Sequence, residues 1–156
     1  NDYVVAQCWG QLAGDAYLID QVRGLWDFVA TLKNFVKFVE KYPEATERLI
    51  EDKANGPAVI SSLRHDVPGI IPVEPFGSKS ARAYAVSPYW ESGNVYIPNP
   101  TSYPWVTDFE LELLQFPVVS HDDQVDASTQ ALQRMFAKRP MTINPDILKS
   151  RVRKVA

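Results

Sequence analysis

The chain has 156 residues, of which 46% are apolar and 22% charged, as in an ordinary globular protein that buries a sizeable core. No apolar run approaches the roughly 20 residues of a membrane span, and the first residues lack the pattern of a signal peptide, so we expect a soluble cytoplasmic protein with no membrane contact. Cys8 is the only cysteine, which excludes an intrachain disulfide and a thiolate metal cluster and favours a reducing compartment.

The net charge of −3 is unevenly distributed, because many basic residues stand close to the C-terminus. They are Lys138, Arg139, Lys149, Arg151, Arg153 and Lys154. A basic tail can hold phosphate groups, and it is equally common as a solvated chain end. The sequence leaves both interpretations of this tail open.

The N-terminal part of the chain predicts a β-hairpin followed by a helix. β-branched and aromatic residues over 2–10 and 15–22 are separated by a short link bounded by glycine, which is typical of two antiparallel strands. Apolar residues then recur at helical spacing from 28 to 39. Asp27 is placed to cap this helix, and Pro43 prevents its continuation.

The rest of the chain alternates short strands and helices. Strands are predicted at 47–52, 70–73 and 94–97, and helices at 57–64, 79–90, 105–114 and from the acidic cluster at 120–127 to about 138. In the helix at 105–114 we expect Phe109 and Leu114 to face the core and Glu112 to point away from it. This order predicts an α/β domain over 1–140, with a mixed central sheet and helices on both faces, followed by the basic tail at 141–156.

Three aspartates, Asp122, Asp123 and Asp126, stand where the last helical pattern begins. Their spacings of three and four residues let all three face outward from one end of the same helical turn. The ordinary explanation is a helix start, in which Ser120 caps the helix and the acids benefit from the positive end of the helix dipole. The alternative is an oxygen-rich surface that attracts a divalent metal ion.

A second acidic pair, Glu51 and Asp52, ends a predicted strand. Functional sites in α/β folds assemble beyond the ends of strands, so we expect this pair to meet the aspartate cluster. Acids from separate elements repel each other unless a cation lies between them, and Mg²⁺ or Mn²⁺ prefers carboxylate oxygens, whereas zinc prefers His or Cys. Two such ions about 3.5 to 4 Å apart can activate a water and stabilise the leaving oxygen in phosphodiester hydrolysis.

Other chemistries have less support. His65 and His121 are the only histidines, and neither belongs to a recognisable nucleophile and base pattern. The chain has no glycine-rich phosphate loop of the GxxxxGK[ST] or GxGxxG type, which leaves ATP and dinucleotides without a binding loop. Use of the paired carboxylates on a carbohydrate stays open, and such an enzyme would be indifferent to a chelator.

Five segments of the chain resemble the nuclease domain of phage terminase large subunits, in the same order. They are Asp2-Tyr3-Val4-Val5 with Trp9-Gly10, Tyr17-Leu18-Ile19-Asp20 with Arg23-Gly24, Glu51-Asp52-Lys53-Ala54-Asn55-Gly56, Gly77-Ser78-Lys79 with Arg82-Ala83, and His121-Asp122-Asp123-Gln124-Val125-Asp126-Ala127. The resemblance extends to about Phe136. It implies a ribonuclease H-like fold and a two-metal endonuclease that cuts concatemeric viral DNA during genome packaging, in a phage or prophage protein of the bacterial host cytoplasm.

The resemblance also implies a set of site residues and partners. On that analogy Asp52, Asp122 and Asp123 are the catalytic metal ligands for two Mg²⁺ or Mn²⁺ ions, Glu51 is the alternative ligand on the strand, and Asp126 is a further or outer ligand. Lys53, Lys79 and Arg82 are the candidate DNA phosphate contacts. The implied partners are double-stranded DNA and, beyond it, a terminase small subunit, a portal and an ATPase motor domain.

The sequence departs from the family in two respects. The family's ATPase motor is absent from this chain, so no translocation activity is expected of it. The family's first catalytic aspartate lies on a strand just before the stretch that matches Asp2-Tyr3, so we expect both that strand and its acid to be missing between the hairpin and the Glu51-Asp52 strand. Two hypotheses follow: an endonuclease domain, or a catalytically incomplete fragment that acts as a DNA-binding or assembly module.

Overall fold

The computed structural model describes residues 2–137. It contains the predicted strands and helices, with bounds that differ from the predicted ones by a few residues. In chain order they are β1 Val4–Leu12, β2 Asp15–Gly24, α1 Phe28–Lys41, β3 Arg48–Glu51, α2 Gly56–Leu63, β4 Ile70–Val73, α3 Lys79–Glu91, β5 Val95–Tyr96, α4 Trp105–Gln115 and α5 Asp123–Met135. The predicted basic tail at 141–156 lies outside the described residues.

The hairpin is the longest part of the sheet structure. β1 pairs antiparallel with β2 from Val4 opposite Gly24 to Leu12 opposite Asp15. The turn between them consists of Ala13 and Gly14, both at positive φ. It is shorter than the predicted link, so β1 extends closer to the turn than predicted. β2 also pairs in parallel with β5, which makes the β1-β2-β5 sheet a mixed one and confirms the predicted α/β fold class.

Helices cover both faces of the hairpin. Neighbouring residues of a strand point to opposite faces. Gln7 and its partner Gln21 point to α5, where the Gln7 side chain donates to the backbone oxygen of Gln124 (3.3 Å). On the opposite face Asp20 bonds Lys41 at the end of α1 (2.6 Å). The layered arrangement of helix, sheet and helix follows.

A second sheet consists of β3 and β4, which pair in parallel from Arg48 opposite Ile70 to Glu51 opposite Val73. The helix α2 connects the two strands and packs its buried side chains on α1. Gly56 opens α2 so close to β3 that a Cβ there would collide with the carbonyl oxygen of Glu51. The tight turn after β3 therefore requires glycine, and it fixes where Glu51 ends the strand.

β1 and β3 run in opposite directions on the two sides of one groove. β1 runs parallel to α5, because the N–H of Tyr3 donates to Asp123 at the start of the helix and the Gln11 side chain donates to the backbone oxygen of Met135 at its end. β3 runs antiparallel to α5. Glu51 at the end of β3 accepts from Gln130, and Glu47, just before β3, accepts from Arg134 one turn later in the helix. Within residues 2–137, no ladder joins β1 to β3, and the groove between them has a volume of about 1170 Å³. That the strand implied here by the family resemblance is missing from the chain stays a prediction.

Among the helices of residues 2–137, none has the length and apolar character that crossing a membrane requires.

Candidate active site

The start of α5 is held by a carboxylate from α4. One oxygen of Glu112 accepts from the backbone N–H groups of Gln124 (2.8 Å) and Val125 (2.9 Å), and the other accepts from the Gln124 side chain (2.6 Å). The residue at the cap position, Asp122, makes no side-chain capping bond. The predicted capping by Ser120 is therefore wrong, because Glu112 satisfies the first N–H groups of the helix from outside it.

The orientation of α4 also differs from the predicted one. Glu112 is buried, at 7% exposure, and Leu114 is 82% exposed, the reverse of the expectation. Glu112 continues the stripe of Val106 and Phe109 at three-residue spacing, so the inward face of α4 carries an acid. The three-residue spacing of Glu112 from Phe109 and Val106 is the signal in the sequence that could have placed it inward, and the prediction for Glu112 was wrong.

A buried network of amides ties α5 to the hairpin. The side chain of Gln21 donates to that of Gln124 (2.7 Å), and the side chain of Gln7 donates to that of Gln21 (2.8 Å). Ser128 adds a hydroxyl bond to Gln7 (3.1 Å). Buried polar groups that all find partners specify one arrangement, so this network fixes the direction in which the aspartates at the start of α5 point.

The outer side of the α5 start faces the first turn of α3. Lys79 places its Nζ 2.6 Å from an oxygen of Asp122 and 3.8 Å from an oxygen of Asp126. Arg82 places an Nη 2.6 Å from the other oxygen of Asp126 and donates to the backbone oxygen of Gly77 (2.9 Å). Two of the three aspartates are thus paired with cations of this chain.

The two cations differ in their exposure. Arg82 is buried, so its guanidinium faces Asp126 and is not presented to solvent. The Lys79 side chain is 44% exposed. Burial by itself would lower the pKa of Lys79, but the hydrogen bond to Asp122 and the charges of Asp122, Asp126 and Asp123 together outweigh it and raise that pKa. Lys79 is therefore a charged side chain at neutral pH.

Asp123 faces the groove instead of α3. It accepts one long hydrogen bond from the backbone N–H of Tyr3 (3.3 Å), whose ring packs edge-on against His121. Burial raises the pKa of Asp123, and Lys79 and the Tyr3 N–H only partly oppose that effect. Asp123 is the least neutralised of the three aspartates.

Of the acidic pair at the end of β3, Glu51 lies on the groove. Its carboxylate accepts from the side chain of Gln130 on α5 (2.6 Å), one helical turn after Asp126. Glu51, Asp123 and Asp126 line the same groove. Asp52 is exposed and is not among the residues that line the groove, as the alternation of a strand requires for the neighbour of Glu51.

Lys53 follows Glu51 by two residues. It is exposed, and its Nζ lies 3.5 Å from the backbone oxygen of Pro75. Lys53 lines the same groove as Glu51, Asp123 and Asp126.

The donor types fit a hard divalent cation, but their number is small. The acids at the site offer carboxylate oxygens, and the Lys79 ammonium lies between Asp122 and Asp126 as a bound cation would. In the part of the chain that the structure describes, no three acidic, histidine or cysteine side chains come together as a ready-made metal site. The structure brings Asp122 and Asp126 together around Lys79, whereas Asp123 bonds the N–H of Tyr3 and Glu51 bonds Gln130.

The family model of the terminase RNaseH-like domain matches residues 1–135. The chain belongs to this family. The match confirms the predicted family and fold, and it gives the chain a nuclease-type function within a terminase. RNaseH-like nuclease domains generally use divalent metals, and terminases in general act with DNA and other packaging components. No curated protein matches the chain.

Proposed function

We propose that this chain is the metal-dependent endonuclease domain of a phage terminase large subunit, and that it hydrolyses phosphodiester bonds of double-stranded DNA to cut concatemeric viral genomes during packaging. The observation that carries the proposal is that Glu51 of β3 and Asp123 and Asp126 of α5 line one groove in a domain of the terminase family. Carboxylates from two separate elements that share one groove repel each other, and a bound cation relieves that repulsion.

The proposed cofactor is a pair of Mg²⁺ or Mn²⁺ ions. Asp122, Asp123 and Asp126 supply the ligands from α5, and Glu51 or Asp52 supplies the ligand from β3; the contact of Glu51 with Gln130 on α5 favours Glu51. When bound, the ions supply an activated water and stabilise the developing charge on the phosphate.

The residues around the ligands have positioning roles. Arg82 directs the carboxylate of Asp126, and Gln130 directs that of Glu51. Glu112 fixes the first turn of α5, so the aspartates start from a rigid helix end. A site held in this way needs little reorganisation during the reaction.

The DNA contacts of the proposal are the exposed lysines. Lys79 is paired with Asp122, Lys53 lines the groove, and both have flexible stems that can reach a phosphate. Arg82, also predicted as a DNA contact, is buried against Asp126, which favours its positioning role.

The proposal includes the strand that the family resemblance implies between β1 and β3. A strand in that groove can pair with both edges if it runs antiparallel to β1 and parallel to β3, because those two strands oppose each other. Its carboxyl end then comes beside Tyr3 and Glu51, close to Asp123. An acid at that end would supply the ligand that residues 2–137 lack.

A second candidate function is a catalytically incomplete DNA-binding or assembly module. It is favoured by the absence, within 2–137, of three assembled ligands and by the pairing of Asp122 and Asp126 with cations of the chain itself. This candidate predicts DNA binding without cleavage.

A plasmid-nicking assay with Mn²⁺ tests the proposal. We expect the wild-type chain to convert supercoiled DNA to open circles, EDTA to stop the reaction, and Asp122→Ala to lower the rate by about 100-fold or more. Asp66→Ala, at an exposed aspartate after α2, is the matched control and should keep the wild-type rate. Equal nicking by Asp122→Ala would refute the assignment, and Mn²⁺ binding without nicking would favour the incomplete module.

A further inference from the structure

Lys79 stands at a place where the helix itself disfavours a cation. It is the first residue of α3, directly after Ser78, whose hydroxyl accepts from the N–H of Ala81 (3.1 Å). The start of a helix carries partial positive charge, so a lysine there is opposed by the helix dipole. The compensation comes from α5, through the carboxylates of Asp122 and Asp126.

The two cations of α3 are held very differently. Arg82 is buried and fixed by both Gly77 and Asp126. Lys79 contacts only the two aspartates in the bonds that the structure gives it, with its side chain 44% exposed at the end of a flexible stem. The backbone of Lys79 is fixed by the capped helix start, while its ammonium group is free to swing into solvent without disturbing α3.

The ammonium of Lys79 occupies the space that a cation shared by Asp122 and Asp126 would take. A divalent ion offers those carboxylates twice the charge of a lysine, and an exposed ion pair is weak. The two cations therefore compete for the same oxygens.

We propose that Lys79 is a displaceable internal cation: it neutralises Asp122 and Asp126 when no metal ion is bound, and a divalent ion that binds these aspartates releases it toward solvent, where it can contact a phosphate. This inference rests on the metal-binding role proposed above. Lys79 thus pairs first with the aspartates and then with a phosphate, and metal binding frees its positive charge beside the groove.

Calorimetric titration with Mn²⁺ alone tests the competition. Lys79→Met removes the competitor and should bind Mn²⁺ about fivefold more tightly than wild type, the size expected for loss of an exposed ion pair. Lys33→Met, at an exposed lysine on α1, should stay within about twofold of wild type and controls for the change in net charge. Weaker or unchanged binding by Lys79→Met would mean that Lys79 stays beside the bound metal, and it would overturn the inference.

Acetylation of the wild-type chain, followed by mass spectrometry, tests the release directly. The rate at Lys79 should rise severalfold when Mn²⁺ is added, while the rate at Lys33 stays constant. A Lys79 rate that does not change in a chain that binds Mn²⁺ overturns this inference and leaves the proposed function intact. Absence of Mn²⁺ binding by both wild type and Lys79→Met overturns the inference and the proposed metal site together.

Discussion

Carboxylates stand on two sides of the start of α5, and they are satisfied in different ways. On the inner side, Glu112 accepts from two backbone N–H groups and one amide, all fixed within the fold. On the outer side, Asp122 and Asp126 are paired with the ends of long side chains of α3. Fixed donors cannot be exchanged, whereas the exposed end of Lys79 can move away. The inner carboxylate therefore holds the helix, and the outer ones are available to another cation.

Replacing the inner carboxylate should have the largest effect. Glu112→Ala leaves two buried backbone N–H groups and an amide without an acceptor, so we expect the free energy of unfolding to fall by about 3 kcal/mol or more. Chemical denaturation measures the loss, and Glu112→Gln, which keeps one acceptor oxygen, should lose less. On the same helix Leu114→Ala should cost under about 0.5 kcal/mol because Leu114 is exposed. A larger loss for Leu114→Ala than for Glu112→Ala would reverse the assigned faces of α4.

Removing the buried cation on the outer side should have the next largest effect. Arg82→Met leaves Asp126 without its 2.6 Å partner, and we expect a loss of about 2 to 3 kcal/mol in metal-free buffer. Saturating Mn²⁺ should restore part of that stability if Asp126 is a metal ligand. The exposed Arg64, at the end of α2, offers the control variant Arg64→Met. A loss as small as that of the control would show that Arg82 is not needed to hold Asp126.

Replacing Asp123, the least neutralised aspartate, should weaken metal binding without lowering the stability of the metal-free protein. Burial raises the pKa of Asp123, so its charge is disfavoured in the fold, and Asp123→Asn should leave the metal-free protein as stable as wild type or slightly more stable. The same variant should weaken Mn²⁺ binding by about tenfold, a difference of about 1.4 kcal/mol. Thermal unfolding with and without Mn²⁺ measures both effects. A strong loss of stability without metal would assign Asp123 a structural role like that of Glu112.

A carboxylate on the other face of the hairpin should give the smallest effect. Burial opposes the charge of Asp20, but its bonds to Lys41, Tyr42 and the N–H of Gln21 together lower the pKa of Asp20 below its usual 3.8. The stabilisation is therefore present above about pH 3.8 and is lost as the pH falls through the lower folded pKa. Asp20→Asn should flatten the acid side of a plot of unfolding free energy against pH. An unchanged slope below pH 4 would rule out this linkage.

The elements that the sequence predicted well are those that local rules determine. α1 is an example: Asp27 accepts from the N–H of Ala30 (2.8 Å), as a capping residue should, and the helix ends two residues before Pro43. The hairpin also follows from its own pattern of side chains and its glycine turn. Such signals depend on neighbours along the chain, which the sequence supplies directly.

The parts that were missed depend on contacts between distant segments. The cap of α5 comes from Glu112, and no rule of helix starts within 120–127 contains that residue. The pairing of Asp126 with Arg82 likewise joins residues 44 positions apart. The acidic groups were predicted to meet, and Glu51 does reach α5 through Gln130. How near it comes to the aspartates is decided by packing, which spacing along the chain does not encode.

The open edges of β1 and β3 have a consequence for the behaviour of the domain in solution. Each edge presents a row of backbone N–H and C=O groups, and strand edges of this kind act as templates for another chain. In the described part of the molecule the two rows face the same groove, so a single extended polypeptide could form hydrogen bonds with both edges. A segment that pairs with both edges would join the two sheets into one, and we expect a domain without such a segment to self-associate as its concentration rises.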